Sequence, residues 1–368
     1  MNKKFDFITD TLIIGGGPAG STLARELNKN NVNNILIEKN FNYDKPCGGG
    51  IKSKVFEEFN LPKELETKQI TNVNLFSTSN NVKFNIKKAP LSIVLRKEFD
   101  NKLRLLAQEE GTNLIQGKYK SAEYFKDYII AKIKIENKIL LIKAKYLVGA
   151  DGVKSNVKKD LLGIYPKSFL TNYVIVKNQV IDSCEFYFGS KYSPKRYAWV
   201  FPHGNNISIG SIFEPKSNAS NIFEDLLKQK DALTAKKKGF YIPNWDKKNT
   251  FYKNRVFFVG DAAGQTLPFT YEGIYYSMRS ARILANAISK NNPELYEKEW
   301  KKTFEKTFKS YHWAEKFFLY SDFMSNKMLS FFKNKSLQEK AFLYWNNKVK
   351  PISPQNIVIK FFKYFFKK

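Results

Sequence analysis

The sequence predicts an α/β protein: a Rossmann-like βαβ domain interleaved with an antiparallel-sheet domain, followed by a helical C-terminal region. Three observations predict it. A short β-type run ends in a glycine turn that opens a helix and is followed by a second strand. Two later segments, Val73 to Leu95 and roughly Val174 to Ser211, alternate as antiparallel strands do, as in Lys83-Phe84-Asn85-Ile86 and Ser183-Cys184-Glu185-Phe186-Tyr187-Phe188. Finally, 368 residues, of which 43% are hydrophobic and 26% charged, suffice for about two domains and exclude a disordered chain or a disulfide-stapled miniprotein.

The first forty residues justify the βαβ unit. Thr11-Leu12-Ile13-Ile14 reads as a strand stopping at Gly15-Gly16-Gly17-Pro18-Ala19-Gly20. Ser21 to Leu27 reads as a helix, Asn30 to Asn34 as a turn, and Ile35-Leu36-Ile37 as a second strand ending in Glu38-Lys39. Gly15 permits the tight turn out of the strand, Gly17 a close approach of backbone to a pyrophosphate, and Gly20 close packing of helix on strand. The helix start offers free N–H groups and the positive dipole end. Glu38 lies 18 residues beyond Gly20, where a carboxylate accepts ribose hydroxyls. A dinucleotide site follows; the bland alternative is an ordinary βα turn.

Further along, Lys97 to Glu109 has helical spacing, with Phe99, Leu103 and Leu106 on one face. Lys145 to Gly149 is a strand running into Ala150-Asp151-Gly152. Arg255 to Val259 is another, meeting a turn at Gly260-Asp261 and continuing through Pro268 and Glu272-Gly273-Ile274 into a helix over Tyr275 to Ile288. Asp261 is placed at the strand end to accept from ligand hydroxyls, and Gly273 to free N–H groups at a helix start. Lys216 to Asn221 reads as a short polar loop, too brief to mark a boundary.

Charge and cysteine content narrow the setting. Lys and Arg number 62 against 34 Asp and Glu, a net charge of +28 that favours anionic partners. Arginine is scarce beside lysine, and Lys, Asn, Ile, Tyr and Phe recur throughout, so an A/T-rich coding sequence accounts for part of the excess. Cys47 and Cys184 cannot build a secreted disulfide framework or a zinc cluster. His203 and His312 have no metal-type neighbours, so both read as structural and no metal is expected. No run of about 18 uncharged apolar residues and no signal-type start occurs, so a cytoplasmic protein is expected.

The C-terminal third sets aromatic clusters among lysines: Phe317-Phe318-Leu319-Tyr320, Phe331-Phe332, and Phe361-Phe362-Lys363-Tyr364-Phe365-Phe366. Lys360, Lys363 and Lys367 share one helical face, with Ile357, Phe361 and Phe365 filling the rest. Such a helix lies in a membrane interface with its lysines on anionic headgroups, or packs on the core with a solvated lysine stripe. The membrane reading is favoured, peripheral and on the cytoplasmic face. No nucleic-acid motif is present, so nucleic acid is not expected as a partner.

With these segments in hand, the sequence resembles the FAD-dependent geranylgeranyl reductase family, within the group sharing the para-hydroxybenzoate hydroxylase fold. The resemblance rests on the glycine turn at 15–20, Pro46-Cys47-Gly48-Gly49-Gly50, Arg96 with Phe99-Asp100 and Leu103, Ala150-Asp151-Gly152, Tyr197-Ala198-Trp199-Val200-Phe201-Pro202, and Gly260-Asp261 to Gly273. It implies FAD as cofactor, with Glu38 on the adenosine ribose, Arg96 at the phosphate and ribityl region, and Asp261 on the ribityl chain. Gly273 and Ile274 would lie against the isoalloxazine ring and Cys47-Gly48-Gly49 beside it, while Tyr197, Trp199 and Phe201 would line a lipid pocket. Core packing is the plain alternative for those three aromatics, whose alternation puts them on one strand face.

The implied reaction is reduction of carbon–carbon double bonds in a prenyl (geranylgeranyl-type) lipid or quinone side chain, by hydride from reduced flavin, with Cys47 as candidate proton donor. One dinucleotide fingerprint is present, not two, so the flavin would be reduced by NAD(P)H visiting an open site or by a small electron-carrier protein such as ferredoxin. Two departures bear on the substrate: His203 stands where a lysine is more usual, and Tyr271 where a glycine is. A flavin monooxygenase or halogenase on the same fold is the first alternative, although Tyr-x-Trp-x-Phe-Pro differs from the halogenase Trp-x-Trp-x-Ile-Pro. A non-enzymatic basic protein binding membrane or nucleic acid is the second. The domains then run over 1–68 with 96–168 and 250–292 (Rossmann-like FAD-binding), 69–95 with 169–249 (substrate-binding sheet), and 293–368 (C-terminal helical).

Overall fold

A computed structural model describes residues 4–214 and 219–346. The expected C-terminal helix with Ile357, Lys360, Phe361 to Phe366 and Lys367 lies outside the described residues. So do residues 216–218 of the expected polar loop, whose remainder opens the helix Ala219–Gln229.

The strand Phe7–Ile14 is buried from Thr11 onward, as a strand covered on both faces must be. It pairs in parallel with Asn34–Glu38 on one side and Lys138–Gly149 on the other. Asn113–Gln116 and Val256–Phe258 extend the sheet in parallel at either flank, and Tyr252–Lys253 closes one edge. Ile14, Gly149 and Phe258 end their strands together, and the ligand crevice of a parallel sheet lies at that edge. The first half of Lys138–Gly149 also belongs to an antiparallel meander with Ile129–Ile135 and Lys118–Tyr124, which completes eight strands.

Helix Pro18–Asn28 follows the glycine turn and packs on Arg96–Glu109 and Ile274–Ser289. It begins three residues before the expected Ser21, because Pro18 at the first position already has helical φ and lacks only an N–H that would be unsatisfied there.

The second sheet has seven strands in the order Lys238–Pro243, Ser168–Val176, Asn206–Phe213, Ser193–His203, Cys184–Gly189, Asn72–Phe76 and Asn81–Asn85. All pairs are antiparallel except Cys184–Gly189 with Asn72–Phe76. Burial along Asn81–Asn85 alternates strictly, as the alternating sequence requires. A three-stranded sheet of Gly50–Lys52, Leu91–Ile93 and Lys68–Ile70 lies between the glycine-rich Pro46–Gly50 turn and helix Arg96–Glu109 in the chain.

Beyond residue 293 the described chain is helical: Pro293–Trp300, a π turn over Lys301–Glu305, Lys306–Phe318, Asp322–Phe331 and Lys335–Trp345. Phe318, Leu319, Met328 and Leu329 bury themselves against the seven-stranded sheet, whereas Tyr320 and Phe323 stay 70% and 66% exposed. Among the described residues no helix is long and apolar enough to cross a membrane.

Candidate active site

The glycine turn behaves as its spacing demands. Gly15 has φ +108°, and a Cβ there would sit 2.4 Å from the Ala150 carbonyl oxygen. A Cβ on Gly20 would fall 1.9 Å from the Gly15 carbonyl oxygen, so helix and turn touch backbone to backbone. Above Gly17 there is open space, and this N-cap of helix Pro18–Asn28 has no side chain to occupy the free N–H groups. That is an anion cradle with nothing built across it. Glu38 Oε2 accepts the Gly16 N–H at 2.8 Å and Oε1 the Asn40 N–H at 2.9 Å, so the carboxylate shapes the turn and keeps further lone pairs.

Helix Arg96–Glu109 supplies the next wall. Arg96, 5% exposed, donates from Nε and Nη2 to the two Asp100 carboxylate oxygens at 3.0 and 2.7 Å. One helical turn further, Arg104 donates to the Gly16 carbonyl at 3.1 Å and the Phe41 carbonyl at 2.8 Å, tying this helix to the glycine turn. Burial alone would lower the Arg96 pKa, but Asp100 and the Cys47 side chain, which the guanidinium also meets, raise it above its ordinary value. Cys47 is half-buried, and its Sγ accepts the Gly49 N–H at 3.4 Å. Cys184, by contrast, is buried in the sheet, and burial pushes its thiol well up.

The third edge is the segment after Val256–Phe258. Asp261 Oδ2 accepts from Lys45 Nζ at 2.7 Å and Oδ1 from the Thr266 hydroxyl at 3.1 Å. Burial would raise this carboxyl, but Lys45, Thr266 and Arg96 together hold it below the usual carboxylate range. Gly273 caps helix Ile274–Ser289. Its neighbour Glu272 is paired at 3.3 Å with Lys52, a lysine only 1% exposed whose ammonium also lies 4.9–5.0 Å from the rings of Tyr275, Tyr276 and Trp345. Burial raises the Glu272 carboxyl despite the Lys52 charge.

Strand Ser193–His203 forms the apolar wall. Tyr197, Trp199 and Phe201 share one face, and Phe186 from the adjacent strand packs edge-on between the first and last, at 5.3 and 5.0 Å. Trp199 lies flat across Gly210, where any Cβ would strike the indole at 2.1 Å. Its Nε1 is buried with no hydrogen-bond partner among the described residues, while Tyr197 donates to the Thr270 carbonyl at 2.8 Å. Gly48 and Gly50 abut the Phe201 ring. These aromatics are therefore packed and exposed to the cavity at once.

The walls enclose a cavity of about 620 Å³. Of the residues singled out in the sequence, Gly15, Gly17, Pro18, Ala19, Glu38, Lys39, Cys47, Gly48, Gly49, Arg96, Tyr197, Trp199, Phe201, Asp261, Gly273 and Ile274 all line it, and only Gly20 stands behind it. Lys45, Lys52, Arg104, Tyr271 and Glu272 also line it and were not singled out as binding residues; a lysine or arginine offers no local sign that it faces a cavity. His203 and His312 lie off the cavity, and burial lowers both imidazole pKa values.

Residues 8–294 match the model of the FAD binding domain family. A geranylgeranyl diphosphate reductase from Rhodobacter capsulatus is 30% identical over 76% of this chain and 74% of its own length. The chain belongs to the FAD-dependent geranylgeranyl reductase family. A digeranylgeranylglycerophospholipid reductase from Methanocaldococcus jannaschii is 29% identical over 86% of this chain and 85% of that protein. The fold is shared with a geranylgeranyl bacteriochlorophyll reductase-like protein from Thermoplasma acidophilum, at TM-score 0.79 and 23% identity over 88% of this chain and 91% of the other. It is shared also with a flavin-dependent brominase, at TM-score 0.74 and 17% identity over 98% and 100%.

This reductase-family chain is an FAD-dependent oxidoreductase, and its residues fit the cofactor. The uncapped helix start beside Gly17 suits a diphosphate, the low-lying Asp261 carboxylate suits hydroxyl donors, and the open Gly17 Cα leaves the approach clear.

Proposed function

We propose that this reductase saturates carbon–carbon double bonds of a prenyl, geranylgeranyl-type, lipid or quinone side chain. The observation that carries the reading is the meeting of Tyr197, Trp199 and Phe201 with Cys47, Gly48 and Gly49 in the same cavity as the glycine cradle. An apolar aromatic wall within reach of the cofactor cradle suits an uncharged chain, which has nothing to offer a polar site.

In this reading the turn at Gly15–Gly20 and the start of helix Pro18–Asn28 hold the FAD diphosphate, with Glu38 and Lys39 at the adenosine ribose. Arg96 stands toward the phosphate and ribityl region, Asp261 accepts from the ribityl chain, and Gly273 and Ile274 lie along the ring. FAD, when bound and reduced, supplies the hydride for the alkene. An isolated alkene is a poor hydride acceptor, so the aromatic wall's work is to exclude water and hold the bond still. Cys47 Sγ holds the proton for the other carbon, and the Arg96 guanidinium beside it balances the charge left when that proton departs.

Electrons enter from NAD(P)H or a small carrier such as ferredoxin, since the sequence carries one dinucleotide fingerprint and this reading assigns it to FAD. The net charge of +28 and the outward Tyr320 and Phe323 suit peripheral contact with an anionic membrane, where prenyl substrates reside.

The test is consumption of a geranylgeranyl lipid without oxygen, with dithionite as reductant. Loss of double bonds supports the reductase; consumption only in the presence of oxygen supports a monooxygenase on this fold instead.

A further inference from the structure

Tyr271 combines three features that the cofactor site does not require. Its φ is +51°, a left-handed conformation that glycine adopts freely and a bulky aromatic does not. Such a backbone persists only where its surroundings hold it. Here the chain closes on itself, with the Tyr271 N–H on the Leu267 carbonyl and the Leu267 N–H on the Glu272 carbonyl, both at 3.0 Å.

The second feature is the tether. The Tyr271 hydroxyl donates to Glu315 Oε1 on helix Lys306–Phe318, and the Phe269 N–H reaches the same carboxylate. Glu315 is 3% exposed, and its nearest cation is Arg196, with Nη1 at 3.7 Å. One buried carboxylate thus pins two points of the loop between the Asp261 segment and the apolar wall. The third feature is where the ring lies. It stands 5.7 Å from Tyr197 and 6.0 Å from Phe169, on the cavity side, with the cluster containing Phe318, Leu319 and Met328 packed against it.

We infer that Tyr271 is a specificity-determining residue: its ring ends the apolar pocket and restricts the enzyme to a single prenyl chain, and Glu315 is the positioning residue that holds it there. The inference rests on the prenyl reading above. The ring lines the cavity beside Tyr197 and packs on the apolar cluster behind, so without it the apolar wall would open toward that cluster and widen for a second chain.

The experiment titrates the FAD-loaded protein with geranylgeranyl diphosphate and, separately, with a digeranylgeranylglyceryl phospholipid in detergent, reading perturbation of the flavin spectrum. The ratio of the two affinities in a variant, divided by that in the unmodified protein, cancels headgroup differences. Tyr271→Gly shifts the ratio about tenfold toward the two-chain ligand, the scale set by one side-chain's bulk in an apolar pocket. Tyr271→Phe keeps the ring but drops the hydroxyl that Glu315 holds, so it shifts the ratio no further than the loss of the tether alone. Glu315→Ala frees the ring and shifts the ratio partway, whereas Glu315→Gln, which still accepts the phenol, restores it. Should the glycine variant fail to retain FAD, Tyr271→Asn serves, as asparagine tolerates this backbone and also removes the ring. An unchanged ratio in an FAD-loaded Tyr271→Gly or Tyr271→Asn protein overturns the inference and leaves the prenyl reading standing. An unmodified protein perturbed by neither ligand overturns the prenyl reading itself.

Discussion

Arg96 and Asp100 form a buried, two-pronged ion pair one helical turn apart, and it is the Arg96 end of that pair that meets Cys47. The carboxylate fixes the fork of the guanidinium, which stands beside the thiol. Asp100→Asn removes the charge while keeping the shape, so a buried cation loses its counterion. A loss of roughly 3 kcal/mol in unfolding free energy is expected, with weaker FAD retention. Thermal unfolding with and without added FAD measures both.

Cys47 is half-buried, and its Sγ accepts a long N–H contact from Gly49 at 3.4 Å, so alanine loses little here. Cys47→Ala is therefore expected to keep FAD and fold normally while alkene reduction falls by about 10² or more, the scale of a lost general acid. Turnover equal to the unmodified protein would remove the thiol from the mechanism.

Gly20 faces no ligand, yet its substitution reaches the cradle. Any Cβ there overlaps the Gly15 carbonyl oxygen, which is backbone and has no rotamer to retreat into. Gly20→Ala is expected to cost about 2 kcal/mol of stability and to release FAD, because helix and turn must part. Flavin content after gel filtration reads this directly.

Lys158 gives a pH signature. Its side chain is 2% exposed, donates to the Ala262 and Thr250 carbonyls, and burial lowers its pKa to about 8 from the ordinary 10.5. Between those values the unfolded chain holds a proton that the folded chain has shed, so this group makes stability rise with pH from about 8 toward 10.5. The full span is worth up to about 3 kcal/mol. Lys158→Met, which cannot ionise, is expected to flatten that part of the profile, read as Tm against pH for the two proteins.

The sequence made the cradle legible because its constraints are local: Gly15, Gly17 and Gly20 answer to neighbours within a few residues, and Glu38 follows at a fixed distance along one βαβ unit. The alternation at Tyr197, Trp199 and Phe201 was equally open to reading. Helix starts slipped by one to three residues where Pro18 and Arg96 open a helix without a capping side chain. The contacts that complete the site were not legible, because they join distant segments. Lys45 meets Asp261 across 216 positions, and Tyr271 meets Glu315 across 44. Lys52 misleads most, since a lysine in a lysine-rich chain reads as solvated, yet this one is buried among three aromatic rings against Glu272.

The most direct test is a single anaerobic turnover: reduce the bound flavin with dithionite, remove the excess, add a geranylgeranyl lipid, and follow the flavin spectrum alongside the lipid mass. Prenyl reduction gives flavin reoxidation matched by the gain of one pair of hydrogens per flavin. A flavin that stays reduced beside unchanged lipid, and reoxidises only when oxygen is admitted, would contradict it.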